Sequence, residues 1–257
     1  MQTFNKETDM KLLTSVLAAV LATASFATTA ATVADVAVID RSTGERLHTW
    51  YHQGRTYIAG RPGNRYAIEI TNRSAGRVMA VVSVDGVNAI SGETAATSQT
   101  GYVFDAWQRS EILGWRKSMD DVAAFYFTGL ADSYAARTGR PDNVGVIGVA
   151  LYREYVEPPT RMDLAPAPMA KSASPQGELA GRGGFEAQEQ RLGTGHGERL
   201  DSSIRYTDFR RASERPAEVV TLYYDSYDNL VARGIVSGPR PPRPNPFPNG
   251  FVPEPNC

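Results

Sequence analysis

The sequence predicts a mainly β fold: a sandwich-like antiparallel domain over residues 35–157 with one short helix, then a flexible linker and a C-terminal β-hairpin. Three observations carry this. Short apolar or alternating runs recur through residues 35–157, turn-forming Gly, Pro, Asn and Asp separate them, and helical patterning is confined to one short stretch. The 257 residues, 42% of them hydrophobic, suffice for one or two domains at ~100–200 residues each.

The elements follow in order. Val36-Ala-Val-Ile39 is a short apolar strand, closed by the turn-forming Asp40-Arg-Ser-Thr-Gly44. Arg46 to Tyr51 and Arg55 to Ile58 are β-prone and separated by His52-Gln-Gly54. After Gly60-Arg-Pro-Gly-Asn64, apolar side chains alternate at Tyr66, Ile68 and Ile70, as in a half-buried strand. A loop at Asn72-Arg-Ser-Ala-Gly76 leads into Val78 to Val84, which has the composition of a buried strand. Asp85-Gly86 is the strongest hairpin signal, because a type I′ turn needs positive φ at both central residues. Tyr102 to Phe104, Ile112 to Trp115, Val122 to Phe127 and Val144 to Tyr155 supply further strands, and Leu130 to Arg137 the helix. Gly145 and Gly148 mark a bulge or a close backbone approach.

Residues 158–194 are poor in aromatics and rich in Ala, Pro, Ser, Gly and Gln, so they bury too little to offset chain ordering and read as a linker. In residues 195–238, Glu218 to Tyr224 and Leu230 to Val236 read as two strands joined by Asp225-Ser-Tyr-Asp-Asn229. An isolated hairpin is marginal, so this one is expected to pack on the first domain or on a partner. The tail 239–257 holds eight of the sixteen prolines and favours extended polyproline II.

The N-terminus predicts export. Leu12 to Ala34 carries no charge over 23 residues, but seven are Ser or Thr, and the strongly apolar part ends near Ala22. That suits a signal-peptide core better than a membrane span. Small-x-small cleavage options end at Ala24, Ala27 and Ala31, giving a signal peptide over about residues 1–27. Met10-Lys11 is a more typical start than Met1, because Glu7 and Asp9 fall where positive charge is expected. The mature chain is expected in the periplasm or secreted, without a stable membrane span.

Charge and composition exclude several classes. A net charge of −1 argues against a generic nucleic-acid binder. The single cysteine, Cys257, excludes an intramolecular disulfide and a multi-cysteine metal centre, and leaves a disulfide-linked dimer open. With three histidines, no metal set and no cofactor loop is expected.

His196 is the most suggestive side chain, in Gly193-Thr-Gly-His-Gly-Glu198. Beside Glu198 it has the chemistry for proton transfer or ligand binding, although an ordinary hydrogen-bonded loop histidine explains it as well. Trp115-Arg116-Lys117 combines residues favoured as interface anchors; the plain alternative is a core tryptophan with two solvated cations. Tyr223, Tyr224 and Tyr227 put aromatics on both faces of the last hairpin, one face buried and one free for a ligand. Asp120-Asp121 reads as an element end, and no Gly-x-Ser-x-Gly elbow exists for Ser83, Ser91, Ser98 or Ser118. The Pro-Arg-Pro-Pro-Arg-Pro run has the form of a ligand for aromatic grooves, or of a spacer.

Val81-Val-Ser-Val-Asp-Gly-Val-Asn-Ala-Ile90, Gly114-Trp-Arg-Lys-Ser118, the run from Ser133 to Gly148 and Gly193-Thr-Gly-His-Gly-Glu198 resemble a family of uncharacterised exported proteins of Gram-negative bacteria. The resemblance covers about residues 55–157 and 193–236. It implies export and brings no activity, cofactor or catalytic residue. The leading expectation is a non-catalytic binding or envelope-associated protein, with an unknown envelope protein or ligand as partner. A hydrolase working through His196 and Glu198 and a surface protein dimerising through Cys257 are the alternatives.

Overall fold

The computed structural model describes residues 32–157 and 191–237. The expected signal peptide, most of the linker, the proline-rich tail and Cys257 lie outside them. Along the chain, the first strands are β1 (Ala34–Asp40), β2 (Thr49–His52), β3 (Arg55–Gly60), β4 (Tyr66–Asn72) and β5 (Val78–Val84). Next come β6 (Val87–Asn88), β7 (Tyr102–Phe104), β8 (Arg109–Ile112), β9 (Gly114–Arg116) and β10 (Asp121–Gly129). A 3₁₀ turn and the short helix α1 (Tyr134–Arg137) precede β11 (Val146–Arg153). The last elements are β12 (Leu192–Asp201), β13 (Glu218–Ser226) and the helix α2 (Tyr227–Ala232).

Period-2 alternation assembles these strands into three sheets. One runs β1-β4-β8 and a second β12-β10-β9; the third runs β2-β3-β13-β11-β5-β6, with β7 also on β5. Every pairing is antiparallel except that of β13 with β3. The two small sheets meet where Phe127 N–H donates to the Asn64 carbonyl (3.0 Å) and Gly63 N–H to the Phe127 carbonyl (2.7 Å). Between these small sheets and the large one lies the main core. Ile68 and Ile70 of β4, Val82 and Val84 of β5, Phe125 and Phe127 of β10, and Ile147 and Leu151 of β11 are buried in it together. Each such side chain contributes about 1.5–3 kcal/mol on leaving water. The mainly β, sandwich-like reading therefore holds.

Parts of the outer face of the large sheet are covered as well. The irregular stretch 202–217 crosses β5 and β11, where Phe209 packs on Met79, Val81, Ala150 and Tyr152. Tyr155 N–H to the Arg210 carbonyl (2.8 Å) and Ala217 N–H to the Leu151 carbonyl (2.8 Å) pin it down. Over β3 and β13, Leu230 and Val236 pack on Tyr57.

Several sequence expectations are corrected. No C-terminal hairpin forms: Glu218 to Tyr224 is a strand, but its partners are β11 and β3, and Leu230 to Val236 is not a strand. Those residues finish helix α2 and its cap, so a second short helix joins the one expected. Ser226 caps the start by accepting from Asn229 N–H (3.2 Å). Ile235 N–H bonds the Leu230 carbonyl (2.9 Å) and Gly234 N–H the Val231 carbonyl (2.9 Å), with Gly234 at φ +69°. That is a Schellman cap. The linker also ends sooner than expected, because Leu192 to Thr194 are buried in β12. At Asp85-Gly86, φ is +54° and +75°, the positive pair the turn between β5 and β6 needs.

Candidate functional site

His196 sits in β12 rather than in a loop, opposite Phe125 of β10. Its ring lies 5.4 Å from Tyr134 and 6.3 Å from Trp115, nearly parallel to the latter. Partial burial lowers its pKa, and the neighbouring charges of Lys117 and Arg137 add to that, against its own backbone hydrogen bond. Glu198 has a different neighbour, Arg65, at 2.6 Å. The reason is a bulge: the register shifts so that Gly197 and Glu198 together stand opposite Ala124. The extra residue breaks the alternation that would have put positions 196 and 198 on one face. The structure thus does not bring His196 and Glu198 together.

The glycines around them serve packing. A Cβ at Gly195 would lie 2.2 Å from the Tyr126 ring, and one at Gly193 would lie 2.6 Å from Ser133 Cβ. The run is a strand that neighbouring side chains approach closely, not a turn that cradles an anion.

Trp115 is a core residue, stacked edge-on against Phe125 at 4.8 Å. Tyr223 is half-buried against Tyr57 (5.5 Å), with the Arg55 guanidinium 5.1 Å from its ring. Tyr224 faces the core and is closed to a ligand from outside. It belongs to a polar group that sequence reasoning missed. Tyr224 Oη donates to Asp85 Oδ1, Gly145 N–H to the same oxygen (2.9 Å), and Thr194 N–H to Asp85 Oδ2 (2.8 Å). Since Tyr224 has one proton and gives it to Asp85, Thr194 must donate to Tyr224 (2.6 Å) and Tyr66 to Thr194 (2.7 Å). Three hydroxyls thus point in series at one buried carboxylate. Burial raises the Asp85 pKa to about 6, against the opposing hydrogen bonds from Tyr224, Thr194 and Gly145. In the sequence Asp85 is only a turn residue, and nothing in its neighbours announces this role.

Two of the cavities among the described residues are lined by candidate residues from the sequence. One, of about 640 Å³, is lined by Arg41, Arg65, Tyr126 and Glu198. Its chemistry is partly self-satisfied, because Arg65 already pairs with Glu198. The other, of about 520 Å³, lies between β7, the end of β9 and the stretch 204–207. Arg116, Lys117 and Arg205 line it, alongside apolar Ile90, Val103 and Ile204, and no lining residue is an acid. Of the residues named from sequence, Lys117 and Ser118 reach this cavity, and so does Arg116. Its guanidinium donates to the Ser202 carbonyl and to Ser202 Oγ (3.3 Å), so it fixes the stretch that forms the far wall. The signal for the rest was weak: Arg205-Tyr206 is remote in sequence from Arg116-Lys117 and meets it only through the fold.

Among the described residues, no group of three or more His, Cys, Asp or Glu side chains is placed to hold a metal ion, and no helix is long and apolar enough to cross a membrane. Compared with family models, with curated proteins and with solved structures, the chain gives no match.

Proposed function

We propose that this chain is an exported, non-catalytic binding protein whose ligand site is the cavity framed by Arg116, Lys117 and Arg205. The observation that carries the reading is the charge of that cavity. Three cations line it, no carboxylate does, and among the described residues none of the three is in an ion pair. Such a lining attracts anions and repels cations before contact. Its volume of about 520 Å³ falls in the ~300–1,000 Å³ range of small-molecule sites.

Export is supported by the uncharged, signal-peptide-like stretch at the N-terminus. Val33 N–H donates to Glu218 Oε2 (2.6 Å) and Ala34 pairs with Asn72, so the fold already uses these residues. The cleavage options at Ala24, Ala27 and Ala31 all precede them, and processing at any of the three leaves β1 whole.

The test is to purify the chain beginning at Thr28 from the periplasm and denature it. Released small molecules are then identified by mass spectrometry, beside Thr100→Trp, which fills the cavity from an exposed rim position. Wild type is expected to release an anion that Thr100→Trp lacks. Folded wild type that releases no small molecule, or only those that Thr100→Trp also releases, would overturn the reading.

A further inference from the structure

We infer that the ligand is an amphipathic anion: an apolar ring or chain ending in a carboxylate, sulfonate or phosphate. The inference rests on the binding reading above and adds the ligand's chemistry. Its basis is how the cavity divides its charge and its apolar surface.

Arg116 is already engaged. Its Nη atoms bond Ser202, its guanidinium carbon lies 5.8 Å from the centre of the Tyr102 ring, and it acts as a positioning residue. Its Nε and the Tyr102 hydroxyl are enclosed beside the cavity without hydrogen-bond partners among the described residues. Lys117 and Arg205 are exposed and both line the cavity, one from the end of β9 and one from the crossing stretch. An anionic head placed between them meets two solvated cations free to close on it. The remaining walls are unlike those of a site for a small inorganic ion. Ile90, Val103 and Ile204 are aliphatic, Met119 adapts its shape readily, and the Tyr206 ring, 90% exposed, stands at the rim. An apolar body of about naphthalene size would cover these groups while its charge stays at the cationic end.

The experiment uses two fluorescent probes of nearly one shape on the chain beginning at Thr28. 1-Anilinonaphthalene-8-sulfonate carries the charge; N-phenyl-1-naphthylamine does not. The sulfonate is expected to saturate one site, to bind at least about tenfold more tightly than the neutral amine, and to weaken about tenfold in Lys117→Gln/Arg205→Gln. Raising salt from 0.05 to 0.5 M is expected to weaken it further, since the screening length falls well below ~10 Å. Equal binding of both probes, each lost in Thr100→Trp, would overturn the anion inference while leaving the cavity as a binding site. Sulfonate binding unchanged in Thr100→Trp, or none by folded wild type, would overturn the inference at its root. The mass-spectrometric comparison then decides separately whether the protein carries any ligand there.

Discussion

Asp85 has the most unusual surroundings of any described side chain. A carboxylate with no solvent exposure and, among the described residues, no cationic partner should lose its charge, yet three hydrogen bonds and a chain of hydroxyls converge on it. The balance leaves its pKa at about 6, above the ordinary 3.8. The unfolded chain therefore releases this proton first as pH rises, and the folded state loses stability between about pH 4 and pH 6. Roughly two pKa units at ~1.4 kcal/mol each make this about 3 kcal/mol. Asp35 and Asp40 act in a different window. Their pKa values are lowered, Asp35 chiefly by its hydrogen bond to Arg46 and Asp40 by those from Asn64 and Ser42 that outweigh burial, so their stabilisation is lost only as pH falls below 3.8. His196, with its pKa lowered, opposes Asp85 as pH rises towards 6.5. The clean readout is thus a difference between two proteins. Urea unfolding of wild type is expected to weaken between pH 4 and pH 6 by about 3 kcal/mol more than that of Asp85→Asn. Parallel profiles would show that Asp85 titrates normally.

At the scale of elements, two local devices decide what the chain can present. The bulge at Gly197-Glu198 turns an apparent acid–base pair into two unrelated residues, one on an aromatic cluster and one in an ion pair. Helix α2 replaces the strand expected after Asn229. Leu230-Val-Ala-Arg-Gly-Ile-Val236 is β-branched enough to pass for a strand, but Ser226 and Gly234 stand at the cap positions of a short helix. This distinction has a sign that can be measured. Gly234 sits at φ +69° with nothing within 4 Å of an added Cβ, so Gly234→Val meets no clash at Cβ and tests chiefly the backbone conformation. It is expected to destabilise the protein by about 1–2 kcal/mol, as seen in urea unfolding. In a strand the same change would stabilise, since valine favours extended backbone.

Across the whole molecule, stability depends on strands far apart in sequence. β1 pairs along its full length with β4 and sends Val36 and Val38 into the main core, and Val33 is tied to Glu218 across 185 positions. A chain beginning at Thr32 is expected to unfold in urea at the same midpoint as one beginning at Thr28. A chain beginning at Ile39 loses most of β1. The two valines alone account for ~3–6 kcal/mol of a typical ~5–15 kcal/mol, so that chain is expected to be largely unfolded at 25 °C. Equal midpoints for all three would mean that β1 is dispensable.

What the sequence determined was the local grammar: period-2 alternation in β4 and β5, the Asp85-Gly86 turn, and the recurrence of short strands that makes the fold mainly β. These follow from backbone sterics and from which face of a strand is apolar, and both are written in neighbouring residues. Tertiary structure alone decided that β13 lies parallel to β3, that His196 and Glu198 part company, that Asp85 is buried, and that Arg205 lines one cavity with Lys117. Each depends on pairing between segments separated by tens to more than a hundred residues. No local pattern encodes such a pairing, because the free energy that selects it is realised only when the distant surfaces meet.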